Sequence, residues 1–192
     1  MRRLHNKNIN VQKLYGELAI DKSRNQMIFN DVLKELEQGA VPIIITERIE
    51  HVDRLANQFK GFVKNLFILT GELNEKEAEV KLKELNELSD DQERLVIATG
   101  KYIGESFDNQ RLDTLFLTNP ISWKGTLQQY VGRLHRMHEK KTEVKVYDYV
   151  DHLEPTLEKM YKNREKGYKS LGYIALSDAA ETKEITEQMR LF

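Results

Sequence analysis

The chain has 192 residues, room for one sizeable core and too little for two full α/β domains. Hydrophobic residues make up 40% and charged residues 32%, the balance of a soluble globular domain, and a net charge of −1 means that any nucleic-acid contact must come from local patches. The absence of cysteine excludes disulfides, thiolate metal sites and thiol nucleophiles, and the five histidines show no paired spacing such as HExxH, so no metal site is expected.

Residues 1 to 23 read as an irregular or partly helical lead-in. A helical pattern runs from Asn25 to Gln38 and stops at Gly39. The apolar run Val41 to Thr46 predicts a strand, followed by a helix over Ile49 to Lys60 that ends at Gly61. A second strand is predicted over Asn65 to Thr70, with Gly71 after it, and a helix over Asn74 to Leu88. Leu95 to Thr99 and Thr114 to Asn119 are the third and fourth strands, separated by a long loop from Gly100 to Asp108. A helix over Thr126 to Met137 and a strand over Val144 to Val150 follow.

The strands show little polar alternation, as expected where both faces of a parallel sheet are covered. Alternation of strands and helices predicts an α/β fold: one three-layer αβα domain with a mostly parallel sheet. The domain is expected over residues 24 to 172, with residues 173 to 192 a polar tail that has room for a short helix. No apolar run approaches the length of a membrane span. Met1 to Asn6 is not followed by the apolar region of a signal peptide, so a cytoplasmic location is expected.

Charge is unevenly spread. Glu72 to Glu93 carries nine acidic groups and three lysines, a net −6 that nucleic acid should avoid. Pro155 to Gly172 carries five basic and two acidic groups, with Tyr161 and Tyr168 among them. This stretch is either a backbone-tracking surface with stacking tyrosines or, the reading preferred here, a terminal amphipathic helix packing its tyrosines on the sheet.

Ligands of open parallel sheets gather beyond the carboxyl ends of the strands. Small polar groups recur there: Thr46-Glu47-Arg48, Thr70-Gly71-Glu72, Thr99-Gly100-Lys101 and Thr118-Asn119. Short hydroxyls and exposed backbone suit sequence-blind gripping of a sugar-phosphate chain. Threonine is also simply a good strand residue, so no single site decides between the two readings.

The segment Gln129 to Arg136 is the most informative. Leu127, Tyr130, Val131, Leu134 and Met137 recur at spacings of three and four and predict the buried stripe of a helix capped by Thr126. Gln129, Gly132, Arg133 and Arg136 then share the other face. Two guanidiniums one turn apart suit planar, bidentate contacts to phosphate that lysine does not reproduce. Two ordinary surface arginines are the plain alternative. The sequence has no GxxxxGK[ST] and no acidic set placed for magnesium, so it is not a self-sufficient nucleoside triphosphatase.

Taken together, VPIIITER with IEHVDRLANQF, LVIATGKYIGESFDNQRLDTLFLTNP and TLQQYVGRLHR resemble the second RecA-like domain of superfamily-two helicases. The resemblance is to the DEAD/DEAH-box-like branch that includes type III restriction-enzyme helicase subunits and excision-repair helicases, and it runs from about Arg24 to Val150. It implies that Arg133 and Arg136 reach the γ-phosphate of ATP across an interdomain cleft. Gln129 and Gly132 would line the same face, and Asp108 would face the ribose or the coupling network. Thr99 would bind a nucleic-acid phosphate, with Thr46, Arg48, Thr70, Gly71 and Lys101 along the same track.

The resemblance further implies ATP and Mg2+ as cofactors, the metal held by a first RecA-like domain that this chain lacks, and nucleic acid, DNA rather than RNA, as partner. One departure stands out: Ser106 occupies a position where these helicases carry glycine. Two alternatives remain, a RecA-like module that binds nucleic acid or protein without contributing to hydrolysis, and a doubly wound regulatory domain with its arginines in internal ion pairs.

Overall fold

The structure, a computed structural model, describes residues 10–103, 109–121 and 127–175, excluding the side chains of Lys101 and Ile103. Strands β1 (Pro42–Thr46), β2 (Leu66–Leu69), β3 (Leu95–Thr99), β4 (Thr114–Leu117) and β5 (Lys145–Asp148) form one sheet in the order β2-β3-β1-β4-β5. Every pairing is parallel. Helices α1 (Val11–Ile20), α2 (Lys22–Glu37), α3 (Ile49–Phe59), α4 (Glu75–Glu87), α5 (Gly100–Ile103), α6 (Gln128–Leu134) and α7 (Pro155–Ser170) complete the described elements.

Strand periodicity sorts the core into two layers. Ile44, Ile97 and Phe116 point to one face, where Ile28, Phe29, Val32 and Leu36 of α2 and Val52, Leu55 and Phe59 of α3 cover them. Ile43, Ile45, Val96, Ala98, Leu115 and Leu117 point to the other, against Leu85 of α4 and the stripe of α6. The expected three-layer αβα domain with a parallel sheet is the architecture found. α3 leaves β1 toward one face while α6, after β4, packs on the other, so the connections diverge between β1 and β4, the place where open parallel sheets take their ligands.

Local chemistry moves some element ends. The described part of the lead-in holds α1, within the partly helical expectation: Asn10 caps α1, and Asp21 caps α2 through the Arg24 N–H at 2.8 Å. Tyr15 and Ala19 of α1 are buried, so the domain's packing extends back to α1. Gly39 and Gly61 adopt φ of +80° and +86°, the left-handed geometry that ends α2 and α3. Asn74 and Glu77 form a reciprocal capping box on α4. Arg94, 1% exposed, closes the other end of α4 by donating to the carbonyls of Leu85, Leu88 and Ser89.

Two more buried arginines fasten the C-terminal half. Arg24 donates to both Asp151 carboxylate oxygens at 2.9 Å and to the carbonyls of Thr118 and Tyr149. Arg164 is 0% exposed, so it contributes nothing to a basic surface. The stretch Pro155 to Gly172 is thus a terminal helix, with the Tyr168 hydroxyl donating to Asp148 at 3.1 Å and the Arg164 guanidinium over the Tyr161 ring.

Candidate functional site

The strand ends come together as the sequence implies, in one register line. Thr46 pairs with Thr99, and the pairings Leu69 to Ala98 and Ile45 to Leu117 extend the line to Thr70 and Thr118. Because this row is one residue past the row facing α6, its side chains turn toward the α2 and α3 layer. Burial follows: Thr70 is 6% exposed, Thr99 8%, and Thr46 and Thr118 0%.

Two of these hydroxyls are engaged internally. Thr118 donates to the Ile45 carbonyl at 2.9 Å. Thr46 lies 2.9 Å from His51 Nδ1 and donates to Asn119 Oδ1 at 2.5 Å, an oxygen that also accepts the Glu47 N–H at 3.4 Å. His51 Nε2 lies 2.9 Å from Asn25 Oδ1, and the Asn25 amide nitrogen donates to the Ala19 carbonyl at 3.0 Å.

That last bond fixes the orientation of Asn25. The Ala19 carbonyl only accepts, so Asn25 Oδ1 faces His51 and must receive Nε2–H. Burial holds the imidazole pKa down at about 4, so the ring is neutral at pH 7. The Asn119 amide nitrogen is buried without a hydrogen-bond partner among the described residues. In this conformation Thr46 has no hydrogen left for a ligand.

Thr70, Gly71, Thr99 and Arg48 remain along the track. The Thr70 hydroxyl accepts from the Glu72 N–H at 3.4 Å, and Gly71 is exposed. Arg48 lies at the start of α3, with Nε donating to Glu50 at 3.2 Å and Nη1 to the Gln12 carbonyl of α1 at 3.4 Å. Lys101 lies on α5, its side chain outside the described residues, as Asp108 and Ser106 are entirely.

α6 carries the other group of candidates. Leu127, Tyr130, Val131 and Leu134 are at most 3% exposed and form the expected stripe. Gln129, Gly132 and Arg136 are exposed, whereas Arg133 is half-buried and lines a small pocket with Tyr130, Leu134, Leu112 and Ile43, so the expected single shared face is not what forms. The helix is shorter than expected, however, and Met137 is 90% exposed rather than part of the stripe. Lys141 explains the end: its ammonium donates to the carbonyls of Leu134 and Arg136 at 2.8 and 3.0 Å. Arg136 follows in a turn closed by its N–H to the Arg133 carbonyl at 3.2 Å. The expected cap Thr126 lies outside the described residues.

One contact was not visible in the sequence. The Tyr130 hydroxyl donates to the Gly100 carbonyl, joining α6 to the turn after β3. Burial, and then Glu47, push the phenol pKa far above its usual value, so it remains a donor. Partial burial also raises the Glu47 carboxyl. The available signal was a phenol among aliphatic stripe residues, since a buried tyrosine needs a partner for its tip.

No protein-family model matches the chain. Transcript termination protein A18 of vaccinia virus (strain Ankara) is 25% identical over 134 residues, covering 68% of this chain and 27% of that protein. The chain thus spans about a quarter of the length of this viral relative. Among solved structures, T4 UvsW superposes with a TM-score of 0.66 at 18% identity, over 85% of this chain and 36% of UvsW. The C-terminal domain of the DEAD-box protein Dbp5 gives a TM-score of 0.54 at 17% identity, over 82% of this chain and 89% of that domain. The fold is that of the C-terminal RecA-like domain of helicases.

Proposed function

We propose that this chain is the second motor domain of an ATP-dependent helicase or translocase. In this reading Arg133 and Arg136 stabilise the γ-phosphate of ATP held by a separate RecA-like domain, with Gln129 and Gly132 beside them and Asp108 in the coupling loop. The supporting observation is the run from Gln129 to Arg136, in which an exposed amide, a glycine without a Cβ, a half-buried guanidinium and an exposed one lie along α6 and the turn that follows it. None of the four carries a negative charge, so the set fits a polyphosphate. Bound ATP with Mg2+ supplies the transferable phosphoryl group, and the metal's acidic ligands come from the other domain.

Supplying the positive charge from a second domain makes hydrolysis contingent on closure of the cleft. Thr99, Thr70, Gly71, Arg48 and Lys101 grip the backbone of a single strand, and Thr46 acts behind them by holding the strand ends in register. DNA is the strand we assign, on the resemblance to restriction and repair helicases. Absence of a phosphate loop leaves this chain alone without turnover.

A salt titration tests the grip. The chain should bind unstructured single strands with a Kd on the order of 10⁻⁴ to 10⁻⁶ M, weakening steeply with salt and insensitive to base sequence. DNA and RNA of equal length, run in parallel, decide the assignment of the strand. Salt-independent binding, or strong preference for one sequence, would contradict a backbone grip.

A further inference from the structure

Tyr130 occupies a stripe position whose described neighbours on α6, Leu127, Val131 and Leu134, are all aliphatic. Its ring serves the same core, but its tip does something they cannot. Through its hydroxyl, the helix bearing Arg133 is held to the carbonyl of the residue that follows Thr99. Space around that residue is closed. A Cβ on Gly100 would collide with Glu47 Oε1 and come within 2.8 Å of the Tyr130 hydroxyl oxygen, where nothing but glycine fits without movement. The end of β1, the turn after β3 and α6 therefore meet within a single side-chain contact.

We infer that Tyr130 is a positioning residue that relays occupancy of the nucleic-acid track to the arginines of α6, an inference that rests on the function proposed above. Thr99 is joined directly to Gly100, whose carbonyl accepts the Tyr130 hydroxyl. Seating a strand phosphate at Thr99 moves the Gly100 carbonyl with it. A buried phenol is costly to leave without an acceptor, so Tyr130 follows the Gly100 carbonyl and carries α6 with it. The relay needs no contact between the strand and α6.

Hydrogen exchange of the α6 amides in the 192-residue chain reads this directly, with and without a saturating oligothymidylate. In the wild type, bound strand should slow α6 exchange by about fivefold or more, the lower end of ordinary coupling factors. Tyr130→Phe keeps the ring in the core, so melting and oligonucleotide affinity should stay near wild type while the α6 response is lost. Gly100→Ala, whose methyl displaces the tyrosine tip, should lose the response too.

A merely structural tyrosine would lower the melting temperature and leave the response intact. Retention of the α6 response in folded, strand-binding Tyr130→Phe overturns the relay. So does unfolding of both variants, which would make the contact structural. A wild type that binds strand without slowing α6 sinks the relay alone, whereas a wild type that binds no strand sinks the proposed function as well.

Discussion

Arg164 and Asp148 form a two-point pair, Nε to Oδ2 at 2.7 Å and Nη2 to Oδ1 at 2.9 Å, with Arg164 sealed from solvent under the sheet's carboxyl edge. The remaining donor, Nη1, reaches the Ile121 carbonyl at 3.0 Å, so α7 is joined to both β5 and the segment after β4. Removing one partner strands the other charge in a dry site. Arg164→Ala should destabilise the chain by about 3–5 kcal/mol, read by urea unfolding. A loss under 1 kcal/mol, the ordinary range of exposed pairs, would show that the pair is open to water.

His51 gives a pH dependence with a defined sign. Its pKa falls from 6.5 to about 4 because burial disfavours the cation, so the unfolded chain binds the extra proton first. The stabilising contribution is complete above pH 6.5 and is lost as pH falls from 6.5 toward 4, about 3 kcal/mol in all. Other groups titrate in this range, so the comparison is with His51→Leu. The variant should start less stable at pH 7.5 and lose the wild type's extra slope between pH 6.5 and 4. Parallel curves for the two proteins would mean that His51 is already solvated.

Gly61 and Gly132 should respond to alanine with opposite signs. Gly61 has φ of +86° and open space where a Cβ would go, so the cost of alanine there is conformational, about 1 kcal/mol. Gly132 lies inside α6 with nothing within 4 Å of the added carbon, so alanine should stabilise the chain by roughly 0.5–1 kcal/mol. Its functional role shows only in hydrolysis, where the new methyl stands on the face assigned to ATP. Should Gly132→Ala melt lower than the wild type, α6 is not packed as seen here.

The layers of this fold were readable because strand runs and helix stripes obey fixed periods, and the α6 stripe through Leu134 followed from spacing alone. Element ends were less readable, since they depend on distant partners. Lys141 stops α6 by capping carbonyls, and nothing in the local pattern at Met137 announces it. The threonines at the strand ends were legible as a group, but not their direction. Register turns the row toward α3, where Asn119 and His51 engage the Thr46 hydroxyl, and register is a property of the assembled sheet. Buried arginines escaped for a similar reason: Arg164 counts as surface charge in any sequence tally until Asp148, from another element, is brought beside it.

ATP hydrolysis is the most direct test of the central claim that α6 and the turn after it present Arg133 and Arg136 to a nucleotide bound elsewhere. It should be measured on a protein that unites this chain with a phosphate-loop RecA-like domain, in the presence of single strand. Arg133→Ala and Arg136→Ala should each lower turnover by about 10³-fold or more, the range of arginines that act on a transferring phosphoryl group. Lysine should rescue poorly, because a point charge does not reproduce the planar fork. Melting temperature and strand affinity should stay near wild type. Full turnover in both alanine variants, or an unfolded domain in Arg136→Ala, would contradict the account and make these arginines structural.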